Sequence, residues 1–220
     1  MANLNFEHAR QNMVEQQIRT WDVFDERVLN AMLEVPREDF VPQACRSLAF
    51  YDMAIPLDHG ETMMQPRVEG RMLQALDIRP TDNILEIGTG SGFVTALLAI
   101  LGKQVFSIDI HADFIESAGT RLASQGVDNV TLEAEDASQE WGRPGEFDVI
   151  AVTGSLPEVT GDIRTRLKMG GRMFAIIGHE PVMEAHLITR LGENDWQKEA
   201  LFETVVPPLA NIPRNDLFVL

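Results

Sequence analysis

The stretch Ile84-Leu85-Glu86-Ile87-Gly88-Thr89-Gly90-Ser91-Gly92, answered by Ser107-Ile108-Asp109, decides how this chain folds. A short apolar run ends in an acid, three glycines alternate with small polar residues, and an apolar helical pattern follows. Glycine lacks a Cβ, so the turn can be tight and a ligand can touch the backbone. Asp109 closes the next strand-like run 21 residues beyond Gly88. At that spacing a second strand tip offers a carboxylate to ribose hydroxyls. The pattern points to a nucleoside-containing cofactor.

Outward from this turn, strands and helices alternate. Strands are predicted over 83–87, 104–109, 129–133, 147–152 and 171–177, and helices over 92–101, 112–125 and 157–166. A βαβ rhythm with apolar strands implies a parallel sheet covered on both faces. Segments 184–190 and 196–206, joined through Gly192-Glu193-Asn194-Asp195, partly alternate apolar with polar residues and read as an antiparallel pair at the sheet edge. The expected fold is α/β: a Rossmann-like, mostly parallel, doubly wound sheet with a C-terminal antiparallel pair and an N-terminal helical addition. This is the layout of class I methyltransferases. Residues 1–78 read as the helical and loop extension, contributing to the active site, and 79–220 as the cofactor-binding domain. Within the extension, 6–19 reads as one amphipathic helix with Met13, Gln17 and Ile18 near one face. Asp25 caps a second helix through Leu33, stopped before Pro36. Residues 35–57 and 60–66 read as loops, and 68–76 as a helix.

Composition narrows the function classes. Acids outnumber bases 34 to 18, a net charge of −16. No basic run offers the counterion-displacing surface that a nucleic-acid binder needs, so no such partner is expected. No apolar run is long enough for a membrane span, and the first residues lack a secretory pattern. The single cysteine, Cys45, forms no internal disulfide and reads as an inert, half-buried thiol; a reducing cytoplasm is the expected compartment. His179 and His186 are seven apart with no cysteine nearby, and no His, Cys and acid cluster has ligand spacing along the chain, so no metal is expected.

Two details favour S-adenosylmethionine over a dinucleotide. The glycines are spaced Gly-x-Gly-x-Gly rather than Gly-x-Gly-x-x-Gly. Glu86 also stands just before the first glycine, where a carboxylate meets a methionine ammonium, directly or through water, and a pyrophosphate is repelled. Asp136, in Glu135-Asp136-Ala137 after the third strand, is placed to accept from an adenine amino group or to cap a turn. Thr153, at the carboxyl end of the fourth strand, either faces the same crevice or bonds backbone there.

Several segments resemble the protein-L-isoaspartate O-methyltransferase family: Val35-Pro36-Arg37-Glu38-Asp39-Phe40-Val41-Pro42, Ala54-Ile55-Pro56-Leu57, Gly60-Glu61-Thr62, Gln65-Pro66, the glycine turn, Val152-Thr153, Pro157-Glu158 and Val206-Pro207-Pro208-Leu209. They run in order over nearly the whole chain, and the Pro-Arg-Glu-x-Phe-Val-Pro segment is the specific one. The resemblance implies methylation of the free α-carboxyl of an L-isoaspartyl residue in damaged protein, the first step of its repair, with S-adenosylmethionine as cofactor and S-adenosylhomocysteine as product. It implies cofactor contacts at Glu61, Thr62, Met63, Met64, Glu86, Gly88, Thr89, Gly90, Ser91, Gly92, Asp109, Ile110, Glu135, Asp136, Ala137 and Thr153. The family's tail folds over the cofactor, which puts the segment after Pro208 in question here.

The signature loop departs from the family's Thr-Ile-Ser: it reads Thr62-Met63-Met64-Gln65-Pro66. A thioether donates no hydrogen bond, so Met64 removes a donor that the family places beside the transferring methyl. Asp109 replaces a glutamate, Glu135-Asp136-Ala137 a Gly-Asp-Gly, Gly154-Ser155-Leu156 an alanine run, and Arg67 a His or Tyr. An α-carboxyl with a pKa of about 3.5 is already ionised at neutral pH. The reaction therefore needs alignment and water exclusion rather than a general base. Thr62, Met64 and Arg67 are the expected catalytic positions: Thr62 and backbone N–H groups as donors, Arg67 as a bidentate partner for the acceptor carboxylate or a solvated loop arginine, Met64 as filler against the cofactor or the wall of a remodelled pocket. The acceptor is thus an isoaspartyl protein or peptide. The alternatives are a divergent methyltransferase that keeps the cofactor site but acts on another acceptor, a small carboxylate among them, or cofactor binding without turnover. His59, in the same loop, is not expected to be catalytic.

Overall fold

The computed structural model of the chain describes residues 5–139 and 145–212. It opens with α1 (Phe6–Met13), capped by Asn5, whose side chain accepts from the His8 N–H at 3.1 Å. The helix predicted over 6–19 does not run through. After Met13 the chain widens into a π-helical turn, Val14–Ile18, then tightens into a 3-10 turn, Arg19–Trp21, and reverses at Asp22 with φ 59. The widened turn leaves Met13, Val14 and Ile18 all buried in the core. α2 (Glu26–Glu34) starts at Asp25, which accepts from the Arg27 N–H at 2.9 Å. β1 (Ile55–Pro56) and β2 (Thr62–Met63) then form a two-residue antiparallel ladder inside the stretch predicted as loop. α3 (Pro66–Leu76) begins earlier than predicted because Pro66 takes the first helical position, where its fixed φ fits and its missing N–H costs nothing.

β3 (Asn83–Ile87), α4 (Phe93–Leu101), β4 (Gln104–Asp109), α5 (Ala112–Ser124), β5 (Val130–Ala134), β6 (Phe147–Leu156), α6 (Gly161–Thr165), β7 (Leu167–His179), β8 (Val182–Arg190) and β9 (Trp196–Glu203) follow. The sheet order is β5-β4-β3-β6-β7-β8-β9. The first five strands are parallel, and β8 and β9 add antiparallel at one edge. α6 covers only part of the predicted 157–166, starting after Thr160, and β6 runs past its predicted end at 152 to Leu156. The C-terminal segment claims this extension. Ser155 donates its N–H to the Pro207 carbonyl and its hydroxyl to the Val206 carbonyl, and accepts from the Leu209 N–H.

Alternation along the strands sorts the core into two layers. Ile84, Val105, Val149, Ala151 and Phe174 pack with α1 to α4 on one face. Leu85, Ile87, Phe106, Ile108, Ile150 and Val152 pack with Val159 and Ile163 on the other. Strand order reverses between β3 and β6, so a crevice opens at their carboxyl ends, where open α/β sheets bind ligands. Among the described residues no helix is long and apolar enough to cross a membrane.

Candidate active site

The glycine turn leaves β3 at this crevice. Gly88 sits at φ 101, and a Cβ there would fall 2.2 Å from Thr153 Oγ1, so the position admits glycine alone. Thr153, on the neighbouring strand β6, shares its hydroxyl proton between the Ile87 and Gly88 carbonyls at 2.9 and 2.6 Å. Asp109 ends β4 and ties the second strand tip to the turn. Its Oδ2 accepts from the Gly90 N–H at 2.8 Å and its Oδ1 from the His111 N–H at 2.9 Å.

Together these elements frame an open cleft at the strand tips. Eleven of the sequence-predicted residues line it: Glu61, Thr62, Met64, Gly88, Gly90, Asp109, Ile110, Glu135, Asp136, Ala137 and Thr153. A narrower adjoining pocket brings in Met63, Thr89 and Ser91. Burial lifts the Glu61 carboxyl above its ordinary value, against the pull of His111 and His59. Asp136 accepts from the Ser138 N–H through Oδ1 and from Asn211 Nδ2 through Oδ2, both at 2.9 Å. The latter bond carries the C-terminal segment across the cleft, with Pro207, Pro208 and Leu209 in its wall. Residues 213–220, the rest of the predicted tail, lie outside the described residues.

The loop carrying Thr62 and Met64 is held from beneath. Met64 is buried, and its carbonyl accepts from Arg37 Nη2 at 2.8 Å. Arg37 itself is fully buried, donates to the Ala49 carbonyl through Nε at 2.9 Å, pairs with Glu69, and lies over the Phe93 ring at 4.6 Å. The arginine of the Pro-Arg-Glu-x-Phe-Val-Pro segment is thus the anchor of the signature loop. The family model described as Protein-L-isoaspartate(D-aspartate) O-methyltransferase (PCMT) matches residues 8–211.

The chain belongs to the protein-L-isoaspartate O-methyltransferase family.

It is 38% identical over 197 residues to the protein-L-isoaspartate O-methyltransferase of Petrotoga mobilis, covering 89% of this chain and 92% of the relative. It is 36% identical over 198 residues to that of Rhodopseudomonas palustris, covering 90% and 91%. A Plasmodium falciparum structure described as a protein-L-isoaspartate O-methyltransferase in complex with S-adenosyl-L-homocysteine superposes with a TM-score of 0.79 at 20% identity, over 93% of this chain and 98% of that one, which establishes the shared fold.

Three predicted residues of this family member line neither pocket. Gly92, at φ 86, meets Ala118 of α5: an added Cβ would fall 3.0 Å from the alanine Cβ, so the glycine sets helix–turn packing. Glu86 sits on the α4 face of β3, wholly buried, and its Oε2 accepts from Thr95 Oγ1 and Ser107 Oγ, both at 2.6 Å. Thr89 Oγ1 extends this network to Ser107 Oγ at 2.6 Å. Burial pushes the Glu86 carboxyl up to about 8, although the two hydroxyls pull it down. Its Oε1 has no hydrogen-bond partner among the described residues. Arg67 pairs with Asp52 at 2.8 Å and stacks over the Trp21 ring at 4.2 Å, which directs its guanidinium away from the cleft.

Residues with no role in the site predicted from the sequence complete it. Leu57, His111 and Phe114 line the cleft, and Ser107 and Thr95 carry the network under the turn. A serine and a threonine in otherwise apolar elements were the available signal. Spacing along the chain, from which no metal is expected, does not carry the pairings made in space. Folding brings His59, His111 and Asp113 together, with one ligand atom from each within 4.8 Å of the others.

Proposed function

We infer that this chain is an S-adenosylmethionine-dependent carboxyl methyltransferase that methylates the α-carboxyl of isoaspartyl residues in damaged protein. The observation that carries this reading is that Thr62 and Met64 of the signature loop line the same cleft as Gly88, Asp109 and Thr153. The cleft suits an adenosyl ligand on its own evidence: Gly88 and Gly90 present side-chain-free backbone in its wall, and the Asp109 carboxylate, also in the wall, spends one lone pair of each oxygen on the backbone. When bound, the cofactor supplies a sulfonium methyl to a carboxylate oxygen, its sulfur leaving as a thioether. Asp109 would accept from the ribose hydroxyls, and Asp136, Ala137 and Ile110 would receive the adenine. Glu61, Met63 and Met64 would cover the methionine end, with Glu135, Thr89 and Ser91 at the margins. Glu86 would brace the turn from beneath through Thr95 and Ser107.

The acceptor carboxylate arrives ionised, so the protein's work is to orient it and exclude water. Thr62 supplies a hydroxyl donor in the cleft. Met64 supplies an apolar wall where the family carries a serine. Arg67, committed to Asp52 and Trp21, is not asked to bind the acceptor. A reducing cytoplasm suits the single thiol of Cys45.

The test is transfer of labelled methyl to an isoaspartyl peptide with the matching aspartyl peptide as control. Isoaspartyl-specific turnover is expected. Cofactor binding without turnover would redirect the search to other acceptors, and Met64, by making the wall less polar, favours a less polar one. Failure to bind S-adenosylhomocysteine would overturn the cofactor assignment.

A further inference from the structure

The cluster at the rim of the cleft has no part in the reaction described above. His59 stands in the turn between β1 and β2, at φ 60. His111 is the cap residue of α5, and Asp113 lies in that helix's first turn. His59 Nε2 meets Asp113 Oδ2 at 2.8 Å. The two imidazoles stack with centroids 3.9 Å apart and planes within 4°. Phe114 closes one side, its ring edge-on to both imidazoles at 5.3 Å. Two imidazole nitrogens and one carboxylate oxygen are the donor set of late first-row divalent cations, and the remaining positions stay open to water. Hard cations such as Mg²⁺ prefer an all-oxygen shell. The neighbouring charges suit a cation: Asp58 and Asp109 act on His59, and Glu61 on both histidines.

We propose that His59, His111 and Asp113 form a binding site for an imidazole-favouring divalent transition cation of the Zn²⁺, Ni²⁺ and Co²⁺ class. Ligation at about 2.0–2.2 Å requires the stacked rings to converge at one edge. His59 can make that adjustment, because its side chain is 39% exposed on a surface turn. A bound cation would join the 58–60 turn to the start of α5. His111 and Phe114 line the cofactor cleft, so occupancy would restrain one rim of it. This last consequence rests on the cofactor assignment; the cation site does not.

Co²⁺ titration of the full chain, followed by visible absorbance and by calorimetry with Zn²⁺, tests the site. One saturable equivalent is expected, with at least tenfold weaker binding in both His59→Ala and Asp113→Asn. His186→Ala should match the parent, since His186 lies on β8 beside Glu184. S-adenosylhomocysteine affinity in chelator-treated buffer should be the same in parent, His59→Ala and Asp113→Asn, which also shows that the variants are folded. Absence of saturable Co²⁺ binding, or binding that survives both substitutions, would overturn the proposal. Failure of the parent to bind S-adenosylhomocysteine would remove the cofactor reading and leave the cation result standing.

Discussion

Arg37 and Glu69 form an ion pair whose side chains are 0% and 1% exposed, and the same guanidinium holds the Met64 carbonyl. A buried pair of this kind is weak evidence of net stabilisation, because desolvation offsets much of the attraction. Removing one partner is different, since it leaves Glu69 buried without its partner. Arg37→Ala should therefore cost about 3–5 kcal/mol, read as a lower urea midpoint. It should also free the signature loop. An unfolding free energy within about 1 kcal/mol of the parent would show that the pair does not anchor the loop.

Glu86 makes stability depend on pH. Its folded value of about 8 stands above the ordinary 4.5 because burial disfavours the charged form. The unfolded chain releases that proton near 4.5, so the contribution is full below that pH and fades as pH rises towards 8. Unfolding free energy should fall by something on the order of a few kcal/mol between those limits. Glu69, whose burial also raises its carboxyl above the ordinary range, adds slope in the same direction. Glu86→Gln keeps an oxygen for Thr95 and Ser107 and should flatten the curve. Urea titrations from pH 5 to 8.5 decide the matter; equal slopes in parent and variant would contradict it.

Gly88→Ala should be the most damaging change in the glycine turn. The new Cβ meets Thr153 Oγ1 at 2.2 Å, in a backbone at φ 101. Strain of about 1–3 kcal/mol is expected, with S-adenosylhomocysteine affinity at least tenfold lower by calorimetry. Gly90→Ala, at φ 51 with its nearest atom at 3.5 Å, should be the milder of the two. The reverse ranking would mean that close approach at Gly88 is not what the turn provides.

Met64→Ser should raise kcat/KM for an isoaspartyl peptide by about tenfold or more, the worth of one positioned donor. The loop should keep its place, because its carbonyl anchor on Arg37 does not involve the side chain at 64. An unchanged or lower rate would show that the apolar wall is matched to its acceptor.

The parallel sheet was legible because strand and helix periodicities are local. The bounds of β3 and β4 follow directly from their apolar runs, and both end where the glycine turn and Asp109 begin the site. Eleven of the predicted cofactor residues line one cleft because strand tips in a doubly wound sheet converge at the point where strand order reverses. The first helix was not legible as it is built. Packing of Met13, Val14 and Ile18 against the core overrides the 3.6-residue period.

The sequence alone determined the sheet, the cofactor turn and the family, since each depends on residue types at fixed spacing. Tertiary structure alone decided which polar residues meet. Glu86 faces Thr95 and Ser107 because strand alternation turns it toward α4, and Arg67 is taken by Asp52 and Trp21 rather than by the cleft. Arg37 reaches Met64 across 27 positions, and His59 reaches Asp113 across 54. Such pairings are set by where packed elements put side chains in space, and no periodicity along the chain encodes them.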